Sequence, residues 1–223
     1  MNLQATRPSD VAAARGVEEV LHFTTSRGLI GILASKKLLS RRYLSLDDYL
    51  ENIRYYNTAS RSRDIDWIGH VSMSLTQVNS HMLAKSMTWH EEDKVWWAVL
   101  AFDPEILDHP GVVFCTSNNV YPTTQRAEGA AGFEAMFAPT VVWGMYDTPV
   151  TRRAGMADNL TTHFQAELLY PGVVDLSFLR AIYVREPDQV LFVRSLLAAI
   201  GPGPGPDLTS VRVECNPTVF VTG

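Results

Sequence analysis

The sequence contains few of the residues that mark a metal centre, a disulfide framework or a membrane span. It has two cysteines in 223 residues, Cys115 and Cys215, and such a pair forms neither a metal-binding motif nor a disulfide framework. No apolar run approaches the ~20 residues that cross a bilayer, and the N-terminus lacks the apolar core of a signal peptide. We therefore expect a cytoplasmic protein with no metal ion and no membrane partner.

The common nucleotide-binding and hydrolase motifs are also missing. No Gly-x-Gly-x-x-Gly follows a predicted strand, and no Gly-Lys-Ser/Thr loop occurs, so neither a Rossmann nor a P-loop site is supported. The Gly-x-Ser-x-Gly elbow of hydrolases is absent as well. A nucleotide site in this chain would therefore belong to another kind of fold.

The composition is that of a globular protein, with 46% hydrophobic and 19% charged residues. The net charge of −5 argues against nonspecific coating of nucleic acid, because such binding depends on many phosphate contacts. It still allows an enzyme that grips a few nucleotides in one groove. We expect a single domain over residues 1–223, in which residues 1–18 form a short added helix or a frayed tail.

The hydrophobic periodicity predicts a mixed architecture. Strands dominate the second half and helices interrupt the first, which favours an α+β fold with two small packed β-sheets, a cleft between them and flanking helices. Residues 138–164 have little regular pattern, as is typical of functional loops. The predicted strands are 20–24, 68–75, 95–102, 111–114, 165–170, 180–184 and 210–221, and the predicted helices are 26–34, 46–58, 78–87, 132–137 and 187–199.

Gln165 and Glu167 are the first candidate site residues, because they lie two positions apart in a segment predicted to be a buried strand. Alternate strand residues share a face, and a glutamate on an apolar strand is costly without partners or a task. Its carboxylate can accept a hydrogen bond from a ribose hydroxyl and stabilise an oxocarbenium-like centre, and the carboxamide can hold a nucleobase. The simpler alternative is a strand-end glutamate in solvent.

His22 and Thr24 form a second candidate pair on the first predicted strand. The alternating pattern places both side chains on one face. They offer hydrogen bonds to a ribose or an amide without adding charge. The alternative is a structural histidine, and the functional interpretation gains weight when the two strands are considered together.

Six segments follow one another along the chain: His22-Phe23-Thr24, Leu38-Leu39-Ser40-Arg41, 70–76 with Met82-Leu83, 111–119 with Arg126 and Phe133, 165–169, and 179–184. Taken in this order, they resemble the DarT family of bacterial DNA ADP-ribosyltransferase toxins, from about residue 20 to the C-terminus. The resemblance implies an ADP-ribosyltransferase-like fold and an NAD-dependent enzyme that modifies a nucleobase in single-stranded DNA, acting as the toxin of a toxin–antitoxin system. It also implies a macrodomain antitoxin that removes ADP-ribose.

The resemblance assigns a role to each matching residue. Glu167 matches the catalytic glutamate, and Gln165 would orient the acceptor base. His22 and Thr24 would hold NAD, and one arginine would lie near the NAD diphosphate. Arg61 and Arg63 are the preferred candidates for that arginine, with Arg54 as a third. A loop beside the glutamate would bind DNA, and its candidate residues here are Trp143, Tyr146, Arg152, Arg153 and Asn159.

One departure leaves the acceptor open. Residues 66–74 stand where the family commonly has Leu-His-Asp-Tyr-Val-Pro-Phe-Tyr-Phe, and this difference leaves the modified base undecided. An ADP-ribosyltransferase acting on RNA or protein is one alternative function. A non-catalytic nucleotide-binding module of the same fold is another.

Overall fold

The computed structural model describes residues 6–44, 65–201 and 204–221, and within them strands outnumber helices. The helices are α1 Pro8–Arg15, α2 Ser26–Ser35, α3 Arg41–Leu44, α4 Ser80–Trp89, α5 Gly129–Ala135 and α6 Pro187–Ile200. The strands are β1 Val20–Thr25, β2 Lys37–Leu39, β3 His70–Leu75, β4 Trp97–Phe102, β5 Val113–Cys115, β6 Arg126–Glu128, β7 Thr140–Trp143, β8 Thr148–Thr151, β9 Glu167–Pro171, β10 Val173–Asp175, β11 Leu179–Val184 and β12 Arg212–Cys215.

The central feature is an eight-stranded sheet in the order β12-β11-β4-β1-β3-β9-β5-β6. Its middle is weakly joined, because β1 pairs with β3 only at Val20–Leu75 and Leu21–Ser74. By contrast, β1 pairs with β4 along its whole length. The sheet is therefore two four-stranded halves that separate after Leu21. The predicted α+β fold is confirmed, although the two small sheets are halves of one eight-stranded sheet, and the NAD cleft between them stays a prediction.

The hydrophobic core packs the helices against the sheet. Phe102, Phe114 and Phe133 are among the largest fully buried side chains. The rings of Phe114 on β5 and Phe133 on α5 meet edge to face, with their centroids 5.3 Å apart. This contact fixes α5 on the outer strands of the half-sheet that carries β9.

Local sequence explains how β1 leads into α2. The side chain of Thr25 accepts a hydrogen bond from the Gly28 amide at 3.1 Å, which caps a helix whose first amides lack partners. Leu29 and Leu33 lie on the buried face of α2. The helix ends at Lys36, whose φ of 54° turns the chain into β2.

Several predicted boundaries differ from the structure. The strand predicted at 165–170 begins at Glu167. The strand predicted at 210–221 stops at Cys215, because Asn216 caps a 3-10 turn from Pro217 to Phe220. The helix predicted at 46–58 lies outside the described residues. Within residues 1–18, the stretch Pro8–Arg15 is helical.

Residues 138–164 contain regular structure that their pattern did not predict. β7 and β8 form a separate two-stranded hairpin, with Val142 opposite Pro149. Gly144 and Asp147 have positive φ angles of 81° and 51°, which lets the chain turn between the strands. A proline inside β8 is tolerated because the hairpin has only two strands, so one edge of each is free of ladder hydrogen bonds. In the part of the chain that the structure describes, no helix is long and apolar enough to cross a membrane.

Gly132 allows the close packing of α5 on β6. A Cβ atom at this position would lie 2.4 Å from the carbonyl oxygen of Ala127. Replacing an interior helical glycine by alanine usually stabilises a helix by about 1 kcal/mol. Here we expect Gly132→Ala to destabilise the protein by about 1–3 kcal/mol, because the backbone must shift. Thermal or urea unfolding measures the change.

The neighbouring Ala131 supplies the matched control. It is exposed in the same helix, and Ala131→Gly should cost about 1 kcal/mol through propensity alone. A rise in the unfolding midpoint of Gly132→Ala would contradict the packing argument.

Candidate active site

The Glu167 carboxylate lies at the start of β9 and is 8% exposed. Its Oε1 accepts a hydrogen bond of 2.5 Å from the Asn119 amide, and its Oε2 accepts one from the Ser72 hydroxyl. A buried carboxylate needs such donors to offset the loss of water. Donors from β3 and from the loop after β5 therefore hold the carboxylate in one orientation.

His22 lies where the two half-sheets separate. The ladder between β1 and β3 ends at Leu21, and His22 Nδ1 lies 3.0 Å from the carbonyl oxygen of Ser72. The same Ser72 donates its hydroxyl to Glu167. The structure thus brings the predicted His22 and Glu167 to a common neighbour on β3. Thr24 is buried opposite Ala98 of β4, and its contact with NAD stays a prediction.

Gln165 is not on β9 but in the turn before it. This turn is closed by a 2.9 Å hydrogen bond from the Ala166 amide to the His163 carbonyl oxygen. Gln165 and Glu167 therefore do not share a strand face, and the prediction that they do is wrong. Gln165 is nevertheless 4% exposed, which is unusual for a glutamine in a turn, and only Ala166 separates it from the strand that begins at Glu167.

A cluster of side chains around the buried His163 lies beside this turn, and it was not identified from the sequence. His163 Nδ1 lies 2.9 Å from the Ser117 hydroxyl, and the ring stacks on Trp143 with a centroid distance of 4.8 Å. Trp143 also meets Tyr121 edge to face. The cluster joins the β7–β8 hairpin and the loop after β5 to the turn before Glu167. A histidine two residues before the Gln-x-Glu pattern was the available signal.

Cys115 of β5 lies directly opposite Glu167 of β9. It is fully buried, and burial, followed by the nearby Glu167 charge, raises the pKa of its thiol. The thiol therefore stays protonated and is a packing group next to the carboxylate rather than a nucleophile.

A family model described as "ssDNA thymidine ADP-ribosyltransferase, DarT" matches residues 21–220. The chain belongs to the DarT family. Solved structures of family members share its fold at low sequence identity. Thermus sp. 2.9 DarT in complex with carba-NAD+ has a TM-score of 0.58 at 15% identity, with 92% of this chain and 98% of that chain covered. The same protein in complex with ADP-ribosylated ssDNA has a TM-score of 0.57 at 15% identity, with 92% and 97% covered.

Thermosipho africanus DarTG in complex with ADP-ribose is a longer relative. It matches with a TM-score of 0.53 at 15% identity over 91% of this chain. The chain spans about half the length of that protein, 51%. No curated protein sequence matches the chain. Family membership makes the chain a DNA ADP-ribosyltransferase by class and confirms the family that the ordered motifs predicted.

The structure describes only some of the remaining residues predicted from the DarT resemblance. Arg54, Arg61 and Arg63 lie outside the described residues. Arg152 donates to the carbonyl oxygens of Leu160 and Ala157, both at 2.6 Å, so it braces its own loop. Arg153 is exposed.

Asn159 and Tyr146 have opposite surroundings within residues 138–164. Asn159 bonds to the body of the protein, donating to the Gly16 carbonyl oxygen at 3.3 Å and accepting from the Thr76 hydroxyl at 2.9 Å. Tyr146 is 92% exposed at the hairpin tip. Their contacts with DNA stay predictions. Among the described residues, no group of three or more His, Cys, Asp or Glu side chains could hold a metal ion.

Burial lowers the pKa of His163 from 6.5 to about 4, which makes stability depend on pH. Between these values the unfolded chain binds a proton that the folded chain excludes. The free energy of unfolding should therefore fall as the pH drops from about 6.5 to about 4, and His163→Asn should remove this part of the slope. Urea unfolding over a pH series measures the effect.

The exposed His81 supplies the control, since His81→Asn should keep the wild-type slope. An unchanged slope in His163→Asn would show that the acid sensitivity has another source.

Proposed function

We propose that this chain transfers the ADP-ribosyl group of NAD to a thymidine base in single-stranded DNA, with Glu167 as the catalytic residue. The observation that carries the proposal is the buried Glu167 carboxylate, held by Ser72 and Asn119 where the two half-sheets separate. The family model that matches the chain is described as an ssDNA thymidine ADP-ribosyltransferase. Thermus sp. 2.9 DarT, which shares the fold, has been solved with NAD+ and with ADP-ribosylated ssDNA.

NAD would bind in the cleft between the half-sheets. His22 and Thr24 from β1 would hold the nicotinamide ribose from one side, and Glu167 would face it from the other. The diphosphate would be paired with an arginine, for which Arg61 and Arg63 are preferred and Arg54 is the third candidate, because a guanidinium can donate two parallel hydrogen bonds to phosphate oxygens. No metal ion takes part in this scheme.

The reaction exchanges one glycosidic bond for another. The bond between C1′ of the ribose and the nicotinamide nitrogen breaks, and nicotinamide leaves with the bonding electrons. Glu167 accepts a hydrogen bond from a ribose hydroxyl and stabilises the cationic ribosyl centre. The thymine nitrogen that still carries a hydrogen attacks C1′ and loses its proton, which Glu167 accepts as general base.

DNA would approach over the turn before β9 and the β7–β8 hairpin. Gln165 would orient the base, and the exposed rings nearby would offer stacking surfaces, which bind bases with little sequence preference. Phe164, next to Gln165, is 52% exposed and extends the set chosen from the sequence. The other DNA-binding candidates are Trp143, Tyr146, Arg152, Arg153 and Asn159.

The biological role follows from the family. The chain would be the toxin of a toxin–antitoxin pair, as a single domain over residues 1–223 with residues 1–18 as an N-terminal extension, and would act in the cytoplasm. Its antitoxin would contain a macrodomain that removes ADP-ribose from DNA. The longer Thermosipho africanus DarTG, solved with ADP-ribose, supports a partner of this kind.

Glu167→Gln tests the catalytic assignment. It keeps the shape of the side chain and removes its charge, so we expect transfer to fall by at least about 100-fold, the scale of one electrostatic stabiliser. The assay incubates the protein with NAD and single-stranded oligonucleotides and measures a mass gain of one ADP-ribose. Matched oligonucleotides without thymidine should gain no mass, and Glu134→Gln, an exposed change on α5, should keep activity.

Three outcomes would contradict parts of the proposal. Transfer by Glu167→Gln at the wild-type rate removes the catalytic role of Glu167. Modification of RNA or protein instead of DNA moves the acceptor to the alternative class. If the wild-type protein does not turn over NAD, the result favours the alternative of a non-catalytic nucleotide-binding module.

Tyr146 tests the DNA path. A stacked base contributes about 1–3 kcal/mol, so Tyr146→Ala should weaken binding of a single-stranded oligonucleotide by roughly 5- to 150-fold if the tip stacks on a base. Fluorescence anisotropy measures the dissociation constant. Phe192→Ala is the control, because Phe192 is a 44% exposed aromatic on α6. Equal affinities for wild type and Tyr146→Ala would remove the hairpin tip from the DNA path.

A further inference from the structure

We infer that Arg126 is a positioning residue for the transfer reaction, acting through Asn119 on the Glu167 carboxylate. The inference rests on the proposed function for its catalytic consequence. Its structural part, the dependence of the contact between Asn119 and Glu167 on Arg126, can be measured without any turnover.

Arg126 organises the loop that donates to Glu167. Its Nε donates to the side-chain oxygen of Asn119 at 2.8 Å, and its terminal nitrogens donate to the carbonyl oxygens of Asn119 at 2.6 Å, Tyr121 at 2.9 Å and Thr124 at 2.7 Å. Both the backbone and the side chain of Asn119 are thus tied to one guanidinium. The amide of the same residue donates to Glu167 at 2.5 Å.

The geometry requires an arginine. The carbonyl oxygens of Asn119, Tyr121 and Thr124 all accept hydrogen bonds from the two terminal nitrogens of one guanidinium, and without such donors these buried or half-buried oxygens would lose their partners. A guanidinium presents five N–H donors in a fixed plane, whereas a lysine ammonium offers three donors at one point. A glutamine at position 126 could satisfy at most a small part of the set.

The sheet register places Arg126 in line with the reaction centre. Arg126 of β6 is opposite Cys115 of β5, and Cys115 is opposite Glu167 of β9. Directly opposed residues share a face of the sheet, so the guanidinium, the thiol and the carboxylate follow one another on the same face. At one end of this row Arg126 binds the loop that contains Asn119. At the other end the Asn119 amide donates to Glu167.

Losing Arg126 should therefore misplace a donor rather than remove a substrate contact. We expect Arg126→Gln to lower kcat for ADP-ribose transfer by about 10- to 100-fold, since small errors in catalytic geometry have effects of this size. The KM for NAD and the affinity for carba-NAD should stay close to wild type. Arg126→Lys should recover part of kcat, because it restores one cationic donor.

A nuclear magnetic resonance measurement separates positioning from general stability. In 15N-labelled protein, the Asn119 amide proton should resonate downfield because it donates to a carboxylate. It should move upfield in Arg126→Gln and in Glu167→Gln. Arg194→Gln is the matched control: Arg194 on α6 also donates to a backbone carbonyl, that of Val213 on β12, and its loss should leave both the Asn119 signal and kcat unchanged.

A second variant tests the same network in case Arg126→Gln does not fold. Asn119→Ala keeps the amide that donates to Glu167 but removes the side-chain oxygen that holds Arg126 Nε. Its loss of kcat should be smaller than that of Arg126→Gln, and the two should combine less than additively because they act on one network. If Arg126→Gln does not fold, Arg126→Lys and Asn119→Ala decide the question.

The outcomes are distinct. Reduced kcat with an upfield Asn119 amide supports the inference. Wild-type kcat in Arg126→Gln overturns it, as does a reduced kcat with an unshifted Asn119 amide, which would show a merely structural role. If the wild-type protein transfers no ADP-ribose, the proposed function fails while the amide shift still decides the role of Arg126.

Discussion

The arrangement of the site depends on one physical constraint, which is that a buried carboxylate must keep donors when it leaves water. Glu167 meets this constraint through the Ser72 hydroxyl and the Asn119 amide. Each donor has its own support: Ser72 is on a strand at the split of the sheet, and Asn119 is on a loop braced by Arg126. The strands around the site can be understood as the framework for these two donors.

The division of the sheet after Leu21 shapes the surroundings of the Glu167 carboxylate. A continuous ladder between β1 and β3 would occupy the backbone groups beyond Leu21. Pairing at only two positions instead lets the His22 ring approach the carbonyl oxygen of Ser72. Pairing of β1 with β4 along its whole length holds this part of β1 in place.

Much of the fold was predictable from sequence, because the periodic spacing of apolar residues and a helix cap such as Thr25 depend only on residues close together in the chain. The ordered motifs identified the family and pointed to Glu167, whose catalytic role stays a prediction. The donors to Glu167 were not predictable, since Ser72 and Asn119 come from distant segments and ordinary residue types. The β7–β8 hairpin was missed because Pro149 and short strands hide its pattern, and Gln165 was misplaced because a turn closes one residue before the strand.

The burial of Cys115 has a practical consequence. It lies between Arg126 and Glu167 and is fully buried, whereas Cys215 is exposed. A thiol-specific dye added to the native protein would label Cys215, and reaction at Cys115 would report that the strands around the carboxylate have come apart. Peptide mapping of the labelled protein would therefore report whether the strands around Glu167 are intact, without the need for a substrate.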